Sequence, residues 1–551
     1  MIARVWEMLR TKFVRDAATL QVATGVSQVF QVGTTVALAL MLGAEGQGIY
    51  VSAIALQALV FFLINVGVLQ ATVSQIAAAA ARKNEYKSSG WIAFLAKTVA
   101  AFGALIFVAG WFILPWIGEL FYDDRSVGVW AWWLCAVPLI ELPKVVATAA
   151  FLGTRRMVAL GQLETSCDLV RLFLVVCGAV ATGSPEGAVI GVLLASAVGA
   201  VLSAGLYRRA RSDGEYPLPG VRAIVQRARD IKIRQGIRQG LRVALIKNGQ
   251  SLFGNIFPRL IIGAVTGLEW AAYFHIAQRL VTVPMMLADA IRRTALPALG
   301  ELAGQKNLAK FRSMFFRTAF ITGSLTTVVL LALLGLIPWL TRLLFPADYT
   351  VPVYTYAQIL VLAYIPFSFA VANEAFYIVT NKLKVLLWIT LVGAVITIPA
   401  NIWLIKVIPY TGAAWGLALY QSWVLVHLVY ISFLLLRARD AEAFWRDADS
   451  VPCPACSEAA TPGGVPFWVI LLSVTSLSLS FICLAFPGRL DAILVEWLSV
   501  EGGGFWKWLT SGAFGLAGLL SLVLWREPNS CGACGHRWAV KRRFGRAKAD
   551  A

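Results

Sequence analysis

Long apolar segments recur along the chain, and short polar connections separate them. Each segment has roughly the 20 residues that an α-helix needs to cross the ~30 Å hydrocarbon core of a bilayer. A helix is also the open-ended structure that satisfies its own backbone polar groups in lipid. The pattern therefore predicts an all-α integral membrane protein with about fourteen spans, at residues 17–42, 50–75, 91–116, 128–153, 160–182, 186–207, 243–265, 271–295, 314–340, 353–379, 384–406, 412–436, 466–487 and 505–525.

Composition supports this prediction and narrows the class of protein. Hydrophobic residues make up 59% of the chain and charged residues 14%, which excludes a soluble globular protein. The formal net charge of +19 is typical of Lys and Arg retained in cytoplasmic loops, so we expect no nucleic-acid partner. The predicted external loops are all short, which leaves little room for an active site. We therefore expect no enzymatic activity.

The basic residues indicate the orientation in the membrane. Lys and Arg are concentrated in the N-terminal segment and in alternate connections, most densely in 208–242. The connections between these, such as GAEGQG at 43–48, carry almost none. By the positive-inside rule, both termini are predicted to lie in the cytoplasm, in a bacterial inner membrane.

Two stretches resemble each other at an offset of about 220 residues, which is half of the predicted twelve-span core. LMLGAEGQGIYVSAIALQ and LIIGAVTGLEWAAYFHIAQR share an aliphatic run, Gly-Ala, a turn with Gly, an aromatic residue, an Ala and a late Gln. Parallel six-helix repeats around a central cavity are therefore predicted. The predicted domains are a first half (1–212), a linker (213–242), a second half (243–440) and a C-terminal module (441–551).

The linker contains an amphipathic segment at 221–242, with apolar residues at helical spacing and Arg on the other faces. It is predicted to lie on the inner leaflet, with membrane lipids as partners. A regulatory role is the alternative.

Polar side chains inside apolar spans point to a transport pathway, because they are costly unless they face a cavity or a partner. One stripe recurs every four residues along the predicted seventh span: Lys247, Ser251, Asn255 and Arg259. Its repeat mate, the first span, carries Gln21, Thr24, Gln28 and Gln31. Both stripes are predicted to line one substrate-binding cavity. Interhelical hydrogen bonds with snorkelling ends are the alternative.

Further intramembrane charges fall into expected pairs. The eighth span adds His275 and Arg279 to the cationic set. Asp168 and Arg171 are expected to neutralise each other, and Glu141 and Lys144 to pair beside a kink. Glu374 either pairs with an Arg across helices or titrates as a coupling acid. A cavity biased towards cations and amides suits an anion and disfavours a cationic drug.

Several motifs resemble the polysaccharide (O-antigen type) flippases of the multidrug/oligosaccharidyl-lipid/polysaccharide exporter superfamily. The resemblance covers about residues 10–436 and rests on LGAEGQGIY, GLEWAAYFHIAQRL, LPALGEL, PADYT and YTGAAWGLALYQ. It implies a V-shaped twelve-helix core that flips undecaprenyl-diphosphate-linked oligosaccharide from the cytoplasmic to the periplasmic leaflet. It also implies a cationic lumen, to which Arg259 transfers best.

The acidic first-helix site of the drug-efflux branch is absent, since the first span has no carboxylate after Asp16. Three alternatives remain: an exporter of another anionic lipid, a multidrug antiporter, and a scaffold or enzyme of glycan assembly. The expected partners are a polyprenyl-diphosphate-linked glycan and cytoplasmic glycan-assembly proteins, and a monomer is expected.

The C-terminal module carries two CxxC pairs, Cys453 with Cys456 and Cys531 with Cys534. Four cysteines in two such pairs are the ligand set of a tetrahedral structural zinc site. Residues 457–530 separate the pairs, well beyond the ~15–20 residues usual in a zinc ribbon. A two-helix hairpin in the insert would return both pairs to the cytoplasmic side, where reduction disfavours disulfides. Structural zinc is therefore predicted, with His536 as a spare residue.

Overall fold

The computed structural model describes residues 12–64, 68–81, 84–154, 156–211, 218–230, 256–305, 307–380, 382–408 and 410–437, and four two-residue strands further on. The chain divides into two compact units, Met1–Leu436 and Arg437–Ala551. The predicted domain bounds, including the division at residues 440 and 441, stay a prediction.

The first unit is α-helical throughout its described residues, apart from short connections. Its first half contains α1 (Lys12–Ile64), α2 (Val68–Ala81), α3 (Glu85–Tyr122), α4 (Arg125–Leu134), α5 (Val137–Ile140), α6 (Leu142–Gly153), α7 (Met157–Thr182) and α8 (Pro185–Ala210). The linker contributes α9 (Val221–Asp230).

The second half of this unit is also α-helical in its described residues. It contains α10 (Phe257–Val265), α11 (Leu268–Gly304), α12 (Leu308–Leu344), a 3₁₀ turn (Ala347–Tyr349), α13 (Thr350–Phe369), α14 (Asn373–Val379), α15 (Leu383–Val407), α16 (Gly412–Ser422) and α17 (Val424–Arg437). The second unit has β1 (Val451–Pro452) paired with β2 (Ala459–Ala460), and β3 (Asn529–Ser530) paired with β4 (Arg537–Trp538).

Seven helices of the described chain are long and apolar enough to cross a membrane, or eight if one bent pair counts as a single span. This number counts α1 as one span, although its 53 residues would extend ~80 Å as one straight helix, which is long enough for two. The helix breaks at Gly43, with φ 67° and ψ −175°, a conformation that glycine adopts at little cost. The break separates the predicted first and second spans. The predicted total of twelve core spans stays a prediction, and the last two predicted spans lie outside the described residues.

Glycines let neighbouring helices pack backbone to backbone, as is common in membranes. On α7 and α8, a Cβ added at Gly178 would lie 2.1 Å from the carbonyl oxygen of Gly187, and one added at Gly191 would lie 2.4 Å from that of Leu174. Large apolar side chains elsewhere point outwards, including Phe112 and Val351, which are 73% and 74% exposed. Such a surface is stable in lipid and unstable in water.

The predicted fourth span is bent. Its two parts, Arg125–Ile140 and Leu142–Gly153, meet at an angle of 50°. Pro138 and Pro143 each stand in the first turn of a new helix, where proline is tolerated but cannot continue the preceding hydrogen-bond ladder. Glu141 lies at the break and so projects a carboxylate from the middle of a span.

Candidate functional site: a cationic cluster between two helical halves

The two halves of the first unit are joined by a hydrogen-bonded chain across α1 and α11. Arg279 Nη1 donates to Gln31 Oε1 at 2.7 Å, and Gln31 Nε2 donates to Asp168 Oδ2 at 3.3 Å. The Gln31 amide thus separates the guanidinium from the carboxylate while bonding to both. Two residues predicted from the first and eighth spans, Gln31 and Arg279, therefore meet directly.

Arg259 stands beside this chain at the start of the second half. Its Nε and Nη2 atoms donate to Gln278 Oε1 at 3.0 and 2.7 Å. Gln278 is 1% exposed and adjoins Arg279 on α11. Both arginines are thus oriented by neutral amide oxygens.

Arg259 and Arg279 carry the positive charges of a set that also includes His275, and we call this set the cationic cluster. The charge of Arg259 acts on His275 and the charge of Arg279 acts on both other members. His275 Nδ1 and Arg279 Nε are buried and have no hydrogen-bond partner in the described protein. These atoms are unused donors or acceptors in the interior, where each unsatisfied polar atom is costly.

Neither arginine of the cationic cluster forms an ion pair with a described carboxylate. The charge of Asp168 acts on Arg279 at longer range, across the Gln31 amide that bonds to both groups. Like charges held together away from water are unfavourable, and a bound anion would offset that cost. A planar guanidinium also binds two oxygens of one phosphate at once. The cluster therefore fits an anionic ligand.

Two intramembrane carboxylates elsewhere in the unit, Glu141 and Glu374, are paired with cations. Glu141 accepts from Arg171 Nη2 at 2.9 Å, from Lys144 Nζ at 3.3 Å and from Ser196 Oγ at 3.0 Å. The predicted Glu141–Lys144 pair is confirmed. The predicted Asp168–Arg171 pair is wrong: Arg171 bonds to Glu141, because the bend of the fourth span brings that carboxylate within its reach.

Glu374 pairs across helices, as the sequence favoured. Its Oε2 accepts from Arg292 Nη1 at 3.2 Å, and Arg292 also contacts Asp289 at 3.0 Å. The cation between two acids explains why the carboxylates are tolerated here.

The remaining predicted site residues divide by location. Gln28 is partly buried on α1, three residues before Gln31. Lys247, Ser251 and Asn255 lie outside the described residues. Gln278 and Asp168 were not predicted as site residues. The repeat comparison marked Gln278 as a recurring position, but only the fold shows that it orients Arg259.

At the face that the loops predict to be external, the two halves touch without space for a side chain. A Cβ added at Gly48 would lie 1.9 Å from the carbonyl oxygen of Leu268. Nearby, Tyr122 Oη donates to the carbonyl of Leu260 at 3.3 Å. Gly48 and Leu268 are 220 positions apart, which is the offset of the predicted repeat. Their backbones are in close contact at this end of the predicted halves.

At the opposite face, α9 and the end of α8 border a cleft of about 650 Å³, lined by Arg208, Arg211, Arg222 and Glu85 among others. The α9 helix packs against α3 through Ile224, which is 7% exposed, and Arg227 Cζ lies 3.4 Å from the ring centroid of Tyr86. Val221 and Val225 remain 57% and 56% exposed. Three arginines beside exposed valines suit a surface where lipid headgroups meet acyl chains.

Comparison with known proteins assigns the family. A sequence model described as polysaccharide biosynthesis protein matches residues 13–303, which include Gln31, Arg259 and Arg279. The chain belongs to this family. A search of curated proteins found no match.

The chain shares its fold with solved structures of transporters. An inward-facing multidrug resistance MATE family transporter of the MOP superfamily aligns with TM-score 0.56 and 14% identity, over 77% of this chain and 96% of its own. An outward-facing MATE family transporter aligns with TM-score 0.55 and 15% identity, over 78% and 97%. The MOP superfamily transporter from Pyrococcus furiosus, described as having a binding pocket of reverse polarity, gives the same four values.

These similarities establish a multi-pass membrane protein with a transporter fold. The fold is that of membrane transporters. The predicted resemblance to the polysaccharide branch agrees with the family match, and the fold is that of MOP superfamily transporters. At such low identities the structures share the fold, and the substrate must be argued from this chain's own residues.

Proposed function

We propose that the protein flips a lipid-linked oligosaccharide of the undecaprenyl-diphosphate type from the cytoplasmic to the periplasmic leaflet during polysaccharide biosynthesis. The bacterial inner membrane, with both termini in the cytoplasm, is the proposed setting. The observation that carries the proposal is the cationic cluster, in which Arg259 and Arg279 are held by amides and have no carboxylate counter-ion among the described residues.

A diphosphate suits this cluster better than a cationic drug does. The diphosphate presents several anionic oxygens, and each guanidinium offers a fork of N–H donors. The unpartnered Arg279 Nε and His275 Nδ1 supply further capacity for hydrogen bonds. A cationic substrate would meet repulsion from the two guanidinium groups, while Asp168, Glu141 and Glu374 are hydrogen-bonded or paired with cations.

The polar parts of the glycan need partners as well. Gln28 and Gln31 lie on the helix that faces α11, and their amides can donate and accept. In the proposal, the Gln31 amide exchanges its bond to Arg279 for one to the substrate, and Arg279 then binds a phosphate oxygen. The proposed binding stripe also includes Lys247, Ser251 and Asn255, because these residues recur every four positions before Arg259 in the sequence.

Export of another anionic lipid is the second candidate, since the cationic cluster selects charge and not sugar. A multidrug antiporter has the support of the shared MATE fold, but the cluster opposes it. A scaffold for cytoplasmic glycan-assembly proteins leaves the two amide-held arginines unexplained.

The test compares lipid-linked glycan in a deletion strain complemented with wild type, Arg259→Gln, Arg279→Gln or Arg342→Gln. The first two changes keep side-chain polarity and remove the charge. Arg342 is exposed in the last turn of α12 and serves as a matched control. We expect undecaprenyl-diphosphate glycan to accumulate on the cytoplasmic leaflet in the two cluster variants only, at equal protein levels in the membrane.

Normal export by both cluster variants would refute the role of the cluster. Accumulation of a different anionic lipid in the deletion strain would favour the second candidate. A scaffold would tolerate both arginine changes and fail when the C-terminal module is removed. A further experiment tests the orientation in the membrane. A cysteine placed at the N-terminus should react with a membrane-impermeant thiol reagent only after the cells are permeabilised.

A further inference from the structure

The second unit contains two small hairpins with the same construction. Val451 pairs with Ala460 and Pro452 with Ala459 in the first hairpin. Asn529 pairs with Trp538 and Ser530 with Arg537 in the second. Each consists of two antiparallel two-residue strands joined by six residues.

The CxxC motifs occupy the same place in both hairpins. The six connecting residues lie outside the described residues, and their sequences are CPACSE at 453–458 and CGACGH at 531–536. In both, the first cysteine directly follows the first strand, and the second cysteine precedes the second strand by three residues. Two segments far apart in the chain thus share both motif and strand register.

We propose that Cys453, Cys456, Cys531 and Cys534 bind one structural Zn²⁺ ion, with one hairpin supplying each pair of thiolates. Tetrahedral four-thiolate coordination at ~2.3 Å is a standard structural zinc site. Because the strands that flank each motif pair with each other, the two ends of each CxxC-containing segment lie close together. The metal is bound as thiolates, so binding releases the thiol protons.

The last connecting residues of the two hairpins differ, which argues against a fifth protein ligand to the zinc ion. The last connecting residue is Glu458 in the first hairpin and His536 in the second. Four thiolates complete a tetrahedron without either side chain, and closed coordination is typical of structural zinc. His536 is therefore dispensable for the metal.

The ion would close the long segment between the hairpins into a loop. Residues 457–530 separate the two motifs and contain the two predicted C-terminal spans. Cross-linking the ends of a long segment removes much of its conformational entropy when unfolded. The zinc site would thus hold the ends of the predicted two-helix hairpin together. It lies in the second unit, whereas the described residues of the proposed transport function lie in the first.

The experiment measures metal by mass spectrometry in the full-length protein, purified in detergent without chelator. We expect one zinc per wild-type chain. Cys453→Ser and Cys531→Ser should each lose most of it, whereas His536→Ala and Cys177→Ser should keep it. Cys177 is an exposed cysteine of α7 and is the matched control for removing a thiol.

A second measurement uses wild type alone, in case a cysteine variant fails to insert. Under reducing conditions, alkylation should leave the four CxxC thiols protected until a chelator removes the metal. Wild type with no zinc, iron in place of zinc, disulfides within the CxxC pairs, or unchanged zinc in Cys453→Ser would each overturn the proposal.

Discussion

The contact between Gly48 and Leu268 predicts how one methyl group changes the conformational equilibrium. In Gly48→Ala, the new Cβ would lie 1.9 Å from the Leu268 carbonyl oxygen, whereas ordinary contacts begin near 3.4 Å. The two backbones must therefore separate by about 1.5 Å, because neither contacting atom belongs to a flexible side chain. The substitution destabilises the state in which this end is closed and leaves a separated state unstrained.

The magnitude follows from the cost of overpacking, about 1–3 kcal/mol for extra methylenes in a well-packed interior. A shift of that size changes the ratio of two conformations by about 5-fold to 150-fold. Ser52 reports on it, since its side chain is 0% exposed and its Oγ lies 2.8 Å from a Cβ built on Gly263 at the same contact. We expect Ser52→Cys to react with a membrane-impermeant thiol reagent faster by that factor when Gly48 is Ala.

Gly25→Ala on the same helix is the matched control, because a Cβ there meets nothing within 4 Å. The same chains without the Ser52→Cys change correct for the native cysteines. If Ser52→Cys reacts from the outside at the same rate in the Gly48→Ala protein as in the Gly25→Ala protein, the backbone contact does not restrict access and the reasoning is refuted.

Three further predictions concern the hydrogen-bonded chain through Gln31, the glycine contact between α7 and α8, and the cleft beside α9. Gln31→Leu should lower the free energy of unfolding by about 1–3 kcal/mol, since it leaves buried partners unsatisfied; an unchanged thermal midpoint would contradict this. Gly178→Ala should be destabilising because its Cβ would meet a carbonyl oxygen at 2.1 Å, and Gly205→Ala, which meets nothing within 4 Å, should be neutral in the same melt. Arg211→Gln should weaken binding of anionic lipid in nanodiscs and leave zwitterionic lipid unaffected; equal loss of both would indicate general misfolding.

The prediction of a membrane transporter needed little more than the pattern of apolar segments. Their length and the cost of unsatisfied backbone in lipid leave few alternatives to helices. The recurrence of Gly-Ala, a turn and a late Gln at 40–57 and 260–279 likewise indicated the two halves. The polar positions Gln31, Arg259 and Arg279 stood out for the same energetic reason, since lipid makes such residues expensive.

Spacing predicted the local pair of Glu141 and Lys144, but partners on other helices could not be inferred in this way, because they depend on distances between helices. Asp168 and Arg171 have helical spacing for a pair, yet Arg171 reaches Glu141 on another helix. Similarly, Arg279 bonds to Gln31, which is 248 positions away in the chain. Local spacing limits which residues can meet on one helix, while the bend in the fourth span and the packing of α1 on α11 decide which ones do.

Sequence alone thus determined the membrane class, the cationic character of the core and the two cysteine motifs, all of which are properties of composition and period. Only the tertiary structure decided that Arg259 and Arg279 are held by amides, that the halves meet at Gly48 and Leu268, and that both cysteine motifs sit between strands of identical register. Those features arise where segments distant in the chain approach to within hydrogen-bond or van der Waals distance. Such proximity is set by how every helix packs at once, and no short window of sequence contains it.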